Sequence, residues 1–439
     1  MLLYNLRLAW KSIQRHPVLS GLIILGIALG VGVATTFITV YHVLARDPLP
    51  GRSDRLYYVR MNTWGGSSSL PEGVPIKITY RDAKAVAASD IPVRQTSTAK
   101  VELVVRPAVR GREARPFRQD GRLANADFFE MFGAPFEYGS AWSREADRKP
   151  EAVMVIGAAL NDRLFGGENS VGRTVRLENQ DFRVVGVLAP WRPSVRPYDM
   201  WENPVGRVPE EIFIPFEWVS VLELRNADST MTWDDEPSQD QPFSERLQAS
   251  ERLWVQHWVE LPDVARREAF YSFLTAYAAE QHRLGRFPLT REVRVTPLLG
   301  LMEENGVVPP QAKVLALISL LFLAVASVNL IGLFLGKFLA RAPVVGVRRA
   351  LGASRRAIFL QHLVECELIA LVGGVAGIVL ALGTLAFINQ TLRDFATFRL
   401  DASMIAAAVL LSLMAGAIAG IYPAWRICAI PPARHLKNQ

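Results

Sequence analysis

Residues 344–377 read VVGVRRALGASRRAIFLQHLVECELIALVGGVAG, four arginines (Arg348, Arg349, Arg355 and Arg356) set among apolar and small residues and running unbroken into a long apolar stretch. A basic loop fused to a membrane-length apolar segment marks the cytoplasmic end of a spanning helix. The short apolar pieces between the arginines point to a loop that also docks on a partner. The plainer alternative is a positive-inside anchor with no other role.

Three further segments share the apolar character. Residues 17–45, 314–336, 368–392 and 402–425 contain no Asp, Glu, Lys or Arg, in a chain of 439 residues that is 50% hydrophobic. Each can cross a hydrocarbon core of about 30 Å, which takes about 20 helical residues. The first is too long for a signal-peptide apolar core, and no small-residue cleavage site follows it. The predicted class is therefore an α-helical membrane protein. Four transmembrane helices carry a large α+β domain, of more than one lobe, between helices 1 and 2.

Charge orients the spans. Arg7, Lys11 and Arg15 precede the first; Lys337, Arg341 and the four arginines lie between the second and third; Arg426, Arg434 and Lys437 follow the fourth. None of these groups contains an acid, whereas residues 46–313 are net acidic. The positive-inside rule puts both termini in the cytoplasm and the large domain outside. The formal net charge of +7 is thus a topology signal, and nucleic acid is not an expected partner. Both cysteines, Cys366 and Cys428, lie outside the large domain, which must hold together without disulfides.

The organisation predicted is an interfacial amphipathic helix over 1–16, spans at 17–45, 313–339, 357–388 and 402–425, a loop at 340–356 and a cytoplasmic tail at 426–439. Within 46–312, strands are expected at 55–61, 101–106, 152–156 and 293–297, with helices at 79–89, 127–133, 158–165 and 261–283. A hairpin is expected over 172–187 around Glu178, Asn179 and Gln180. Residues 226–244 read as a polar loop. Each span also holds a small-xxx-small pair that lets helix backbones approach: Gly26/Gly30, Gly332/Gly336, Gly373/Gly377 and Gly416/Gly420. Pro423 should kink or end the fourth span.

Catalytic patterns are missing. No phosphate-binding G-x-x-x-x-G-K-[ST], H-E-x-x-H or G-x-S-x-G occurs, and the six histidines lack metal-ligand spacing. Asp234, Asp235, Glu236 and Asp240 read as a solvated loop before a cation site. Glu365 and Glu367 are the only acids inside a span, where an ionisable group is a functional candidate, although pairing with the nearby cations explains them more simply. The chain is expected to be no enzyme and to hold no catalytic residue, metal or cofactor.

GVRRALGASRR at 346–356, Glu365, Gly373, Gly374, Gly377, GIYPAWR at 420–426 and PAR at 432–434 closely resemble the FtsX-like permease family of ABC transporters. DFFEMFG at 127–133, RLFGG at 163–167, GRTV at 172–175 and VVGV at 184–187 resemble the periplasmic core domain of macrolide-exporter (MacB) type permeases. The resemblance implies a dimer of four-span subunits in which the loop after span two holds a coupling helix, about 344–356, that docks on a separate ABC ATPase, where ATP and Mg would bind. The coupling residues it implies are Gly346, Arg348, Arg349, Leu351, Gly352, Arg355 and Arg356. It further implies a membrane-proximal lobe (46–118 with 245–300) and an inserted lobe (119–244), to which motion is relayed.

In one place the chain departs from the family, which carries Arg-x-x-Glu-(Ile/Val)-Gly ahead of the arginines. Here RAPVVG at 341–346 puts Val344 in the acidic position and Pro343 where it should break the helix. That departure bears on the strength of coupling and predicts pairing with a second permease chain that keeps the acid, a homodimer being the alternative. The expected function is the permease subunit of an ATP-driven exporter, working with a periplasmic adaptor and an outer-membrane channel to expel a peptide, antibiotic or similar amphiphile. Rival readings are a regulatory module acting on a cell-wall hydrolase or sensing a ligand, and a lipoprotein-releasing permease.

Overall fold

The computed structural model describes residues 2–429 except 64–73, 108–114, 150, 192, 194, 201–204, 206–208, 225–226, 228–229, 231–239, 288–290 and 393–396, and the side chains of 2–7. Asp234, Asp235, Glu236, Arg434, Lys437 and most of the predicted loop at 226–244 lie outside the described residues. The chain forms two compact units, Met1–Arg46 with Val308–Gln439, and Asp47–Val307.

In the first unit, α1 (Leu2–Arg15) is followed directly by α2 (Pro17–Ala45). Pro17 opens α2, where its missing N–H loses no hydrogen bond. The chain then passes through the second unit. There it forms β1 (Leu56–Met61), α3 (Tyr80–Ala87), β2 (Arg94–Arg106), β3 (Phe117–Ala124), α4 (Asp127–Met131) and β4 (Phe136–Gly139). Next come α5 (Arg144–Arg148), β5 (Val153–Ile156), α6 (Ala158–Phe165), β6 (Thr174–Leu177), β7 (Gln180–Leu188), β8 (Ile212–Pro215) and α7 (Trp218–Val221). α8 (Phe243–Ala249), β9 (Gln256–Glu260), α9 (Val264–Arg283), β10 (Val293–Pro297) and α10 (Leu298–Glu304) complete it. Back in the first unit follow α11 (Pro310–Leu339), α12 (Ala342–Ala350), α13 (Arg355–Thr391) and α14 (Ala402–Cys428).

α2, α11, α13 and α14 are the four helices long and apolar enough to cross a membrane. Their uncharged runs leave the backbone no partner in lipid except itself, which only the helix satisfies within one segment. α13 packs against α2 and α14, and α11 against the same two, closing a four-helix bundle around Ile27, Val31, Phe334, Ile369, Ala370 and Ala419. α1 lies against α13 with Ala9 and Ser12 buried and Trp10, Lys11 and Arg15 exposed.

The second unit is built on one mixed sheet ordered β10-β1-β9-β2-β3-β8-β5-β7-β4. β2 joins its two parts: Arg94 to Thr98 pair with β9, and Ala99 to Val105 with β3. The strand predicted at 101–106 thus begins seven residues earlier, and β9 lies between β1 and β2. β3, β4, β8 and β9 are additions to the predicted strands. β8 (IFIP) is a short apolar run with no alternation, and β3 and β9 do not alternate cleanly because they bury polar groups. Arg122 of β3, fully enclosed, meets Glu210 at 2.5 Å and Asp199 at 3.6 Å. The hairpin forms as expected, with Glu178 at φ 52° in its turn.

His257 of β9 carries a prediction. It is buried, its Nδ1 lies 2.9 Å from Ser97 Oγ, and its Nε2 has no partner among the described residues. Burial pushes its pKa down to about 3. A base depressed in the folded state binds fewer protons there than when unfolded, so stability falls as pH drops through about 6.5. Asp147, raised to about 6 by burial, acts in the opposite direction, so the comparison must be made with a variant. Between pH 7 and 5 the wild-type chain is expected to lose about 2 kcal/mol relative to His257→Asn. Hydrogen exchange of the β9 amides measures the difference, and a constant gap across that range rejects a buried neutral imidazole.

Candidate functional site

The basic end of the helical bundle is organised by α12. α11 stops at Leu339, Arg341 takes a non-helical conformation, and Pro343 falls in the first turn of α12, where the absent N–H costs nothing. Pro343 therefore helps start a helix, and the break falls just before it, at Ala340 and Arg341. α12 closes on Gly352, whose φ of +99° favours glycine. The Ala353 N–H donates to the Arg348 carbonyl at 3.0 Å and the Gly352 N–H to that of Arg349 at 3.1 Å, a Schellman end. Ser354 then caps α13, its Oγ accepting from the Ala357 N–H at 3.2 Å. The segment expected as a single coupling helix over 344–356 is α12, a left-handed turn and the first residues of α13.

Helical spacing sorts the side chains of α12. Ala342 and Val345 point into the bundle. Arg348 Nη1 donates to Gln361 Oε1 at 3.0 Å, and Arg349 Nη1 to the Cys428 carbonyl at 3.1 Å, tying α12 to α13 and to the end of α14. Both arginines expected as docking contacts thus also position the helix. The opposite face carries Val344 (60% exposed), Val347 (51%) and Leu351 (82%), one apolar ridge at helical spacing. Arg355 and Arg356 stand exposed one turn beyond, and a Cβ added at Gly346 would meet nothing within 4 Å. Sequence reasoning picked out Leu351 but missed Val344 and Val347 as its partners; their i, i+3, i+7 spacing was the available signal.

Beneath this surface lies a buried charge cluster. Glu365 of α13 (2% exposed) meets Lys337 Nζ of α11 (0% exposed) at 2.9 Å and Arg341 Nη1 at 3.4 Å, and accepts from Ser12 Oγ of α1. Arg341 Nη2 also donates to the Ser12 carbonyl at 3.1 Å. His362 Nδ1 lies 3.8 Å from Glu365, and its ring packs on Phe338 with centroids 4.4 Å apart. Pairing near the basic end, expected for Glu365, is what these distances describe, and Ser12 extends it to α1.

The glycines differ among themselves. A Cβ at Gly377 would lie 2.9 Å from the Ala28 carbonyl O, and one at Gly373 2.8 Å from Ile27 Cβ, so both mark close approach of α13 to α2. At Gly416 and Gly420 it would run into Ala370 Cβ and Cys366 Sγ of α13. At Gly332 and Gly336 it would meet nothing within 4 Å. α14 does not end at the buried Pro423 but runs through it to Cys428. Among the described residues no group of three His, Cys, Asp or Glu side chains could hold a metal ion.

Comparison with known proteins gives matches over most of the chain. Residues 20–271 match the MacB-like periplasmic core domain, and residues 316–432 the FtsX-like permease C-terminal region. The chain is 22% identical over 479 residues to the macrolide export ATP-binding/permease protein MacB of Syntrophobacter fumaroxidans, covering 99% of this chain and 64% of that one. It is 26% identical over 449 residues to the pyoverdine export ATP-binding/permease protein PvdT of Pseudomonas aeruginosa, covering 100% and 59%. The chain thus spans about three fifths of the length of these curated relatives. Among solved structures, the periplasmic region of MacB from Actinobacillus actinomycetemcomitans aligns with a TM-score of 0.37 and 11% identity, over 59% of this chain and 97% of that one.

Proposed function

From a chain that belongs to the permeases with a MacB-like periplasmic core domain and an FtsX-like C-terminal region, we infer the transmembrane subunit of an ATP-driven ABC export complex. The observation that carries this reading is α12, a short helix anchored to the bundle by Arg348 and Arg349 that offers an apolar ridge, Val344, Val347 and Leu351, beside two exposed arginines. An amphipathic helix of this kind seats in an apolar groove on a partner. The partner is a separate ATPase subunit, which binds ATP and Mg. Its closure moves α12, and the covalent continuity of α2 and α11 with the 47–307 unit carries the motion there to expel an amphiphile. The basic residues gathered at the α12 end support a cytoplasmic location for it and for both termini, in the inner membrane. A second permease chain, an adaptor and an outer-membrane channel complete the complex.

Val347→Asp/Leu351→Asp is expected to lower ATPase capture at least tenfold, because two carboxylates must be desolvated in an apolar groove. The measurement is mild-detergent purification of the tagged full chain from native membranes, with every co-purifying chain identified. An ATPase held equally by variant and wild type removes the ridge from the docking site. Wild type without any ATPase overturns the export reading.

A further inference from the structure

α1, α12 and the start of α13 enclose a cleft of about 300 Å³, some ten times a water molecule's share of liquid volume. Each helix contributes one face: Leu8, Lys11, Ser12 and Arg15 from α1, Val344, Val345 and Arg348 from α12, and Ile358, Gln361 and His362 from α13. His16, Ala340 and Arg341 close it, and no Asp or Glu lines it. Besides His362, five basic side chains, Lys11, Arg15, His16, Arg341 and Arg348, therefore share one concavity.

These five are not equally engaged. Arg348 donates to Gln361, and Arg341 is held by Ser12 and Glu365. Glu365, to which Arg341 is joined, is also met by Lys337. Lys11 and Arg15, one turn apart on α1, have no ion-pair partner among the described residues. Two pre-placed arginines and two uncommitted cations make a receptor for a phosphate group.

The walls identify which phosphate. Leu8, Val344, Val345 and Ile358 are apolar, and the cleft opens beside the ends of three spans: His16 precedes α2, Ala340 follows α11, and Ile358 lies in the first turn of α13. A soluble anion has no use for those apolar walls, whereas the glycerol and first methylenes behind a lipid phosphate do. Trp10, exposed on α1, has the interfacial character of an aromatic belt residue. We propose that this cleft binds the headgroup of an anionic phospholipid, which bridges α1 to α12 and so sets the mobility of the helix carrying the exposed ridge. The inference goes beyond the ATPase reading and does not need it, because a headgroup can fill the cleft whatever α12 meets.

The test is native mass spectrometry of the purified full chain in neutral detergent, titrated with phosphatidylglycerol or phosphatidylcholine. Wild type is expected to prefer phosphatidylglycerol by roughly tenfold or more, and Lys11→Gln/Arg15→Gln to lose that preference. Both side chains are exposed, and circular dichroism should show the variant's helix content unchanged. Arg355→Gln/Arg356→Gln removes the same charge outside the cleft and should keep the preference. Equal loss in both variants, or retention in Lys11→Gln/Arg15→Gln, overturns the proposal. So does full displacement of the lipid by millimolar inorganic phosphate, which would assign the cleft to a soluble anion.

Discussion

Gly377→Leu is expected to abolish recovery of folded chain from detergent, whereas Gly332→Leu is expected to behave as wild type. The two glycines look alike in the sequence, each half of a small-xxx-small pair in an apolar span. Their surroundings decide the difference. At Gly377 an added Cβ would sit 2.9 Å from the Ala28 carbonyl O, 3.0 Å from Val31 Cβ and 3.1 Å from the Gly32 backbone N. Two of those three neighbours are backbone of α2, which no rotamer change can move, so the helices must part. Overpacking a core with flexible neighbours costs about 1–3 kcal/mol; separating two backbones forfeits the van der Waals packing that holds helices together in lipid. Against a total stability of about 5–15 kcal/mol, that loss is decisive. A Cβ added at Gly332 meets nothing within 4 Å, so the side chain starts into open space. Size-exclusion profiles and thermal melting of the two variants measure the contrast, and a wild-type melt for Gly377→Leu would falsify the close approach of α13 to α2.

That contrast shows what the sequence could and could not carry. Runs of more than 20 uncharged residues have one stable form in lipid, so α2, α11, α13 and α14 were legible without any knowledge of neighbours. Which face of each helix meets another is a tertiary property, and Gly332 and Gly377 differ in nothing local. The same limit applies in the 47–307 unit. β3 reads FRQDGRLA, which no hydrophobic alternation marks as a strand, and it is buried because Arg122 finds Glu210 and Asp199 about 80 residues away. At the candidate site the arginine cluster was legible as charge, but the inward bonds of Arg348 and Arg349 depend on Gln361 and on the Cys428 carbonyl. The spacing of Val344, Val347 and Leu351 was legible, but that this face points outward follows from the inward packing of Ala342 and Val345 and from the end of α12 at Gly352.

Glu365→Gln is expected to destabilise the bundle by about 3–5 kcal/mol, and adding Lys337→Met to restore most of the loss. Lys337 is fully enclosed and meets Glu365 at 2.9 Å. Taking the charge from Glu365 leaves an ammonium in a low-dielectric interior with a neutral amide beside it, the costly way to break a buried pair. Lys337→Met alone should cost less. Glu365 would still have Arg341 at 3.4 Å and the Ser12 hydroxyl, and Arg341 reaches solvent along part of its length. The order expected is therefore Glu365→Gln worst, Lys337→Met milder and the double variant close to wild type, a non-additivity that a double-mutant cycle reads directly. If the two single costs simply add, Lys337 and Glu365 act independently. If the cycle shows coupling, the same carboxylate joins α1 through Ser12, α11 through Lys337 and the approach to α12 through Arg341. A single carboxylate then sets how firmly the exposed ridge is held to the spans, a constraint that replacing any one arginine of the loop would not reveal.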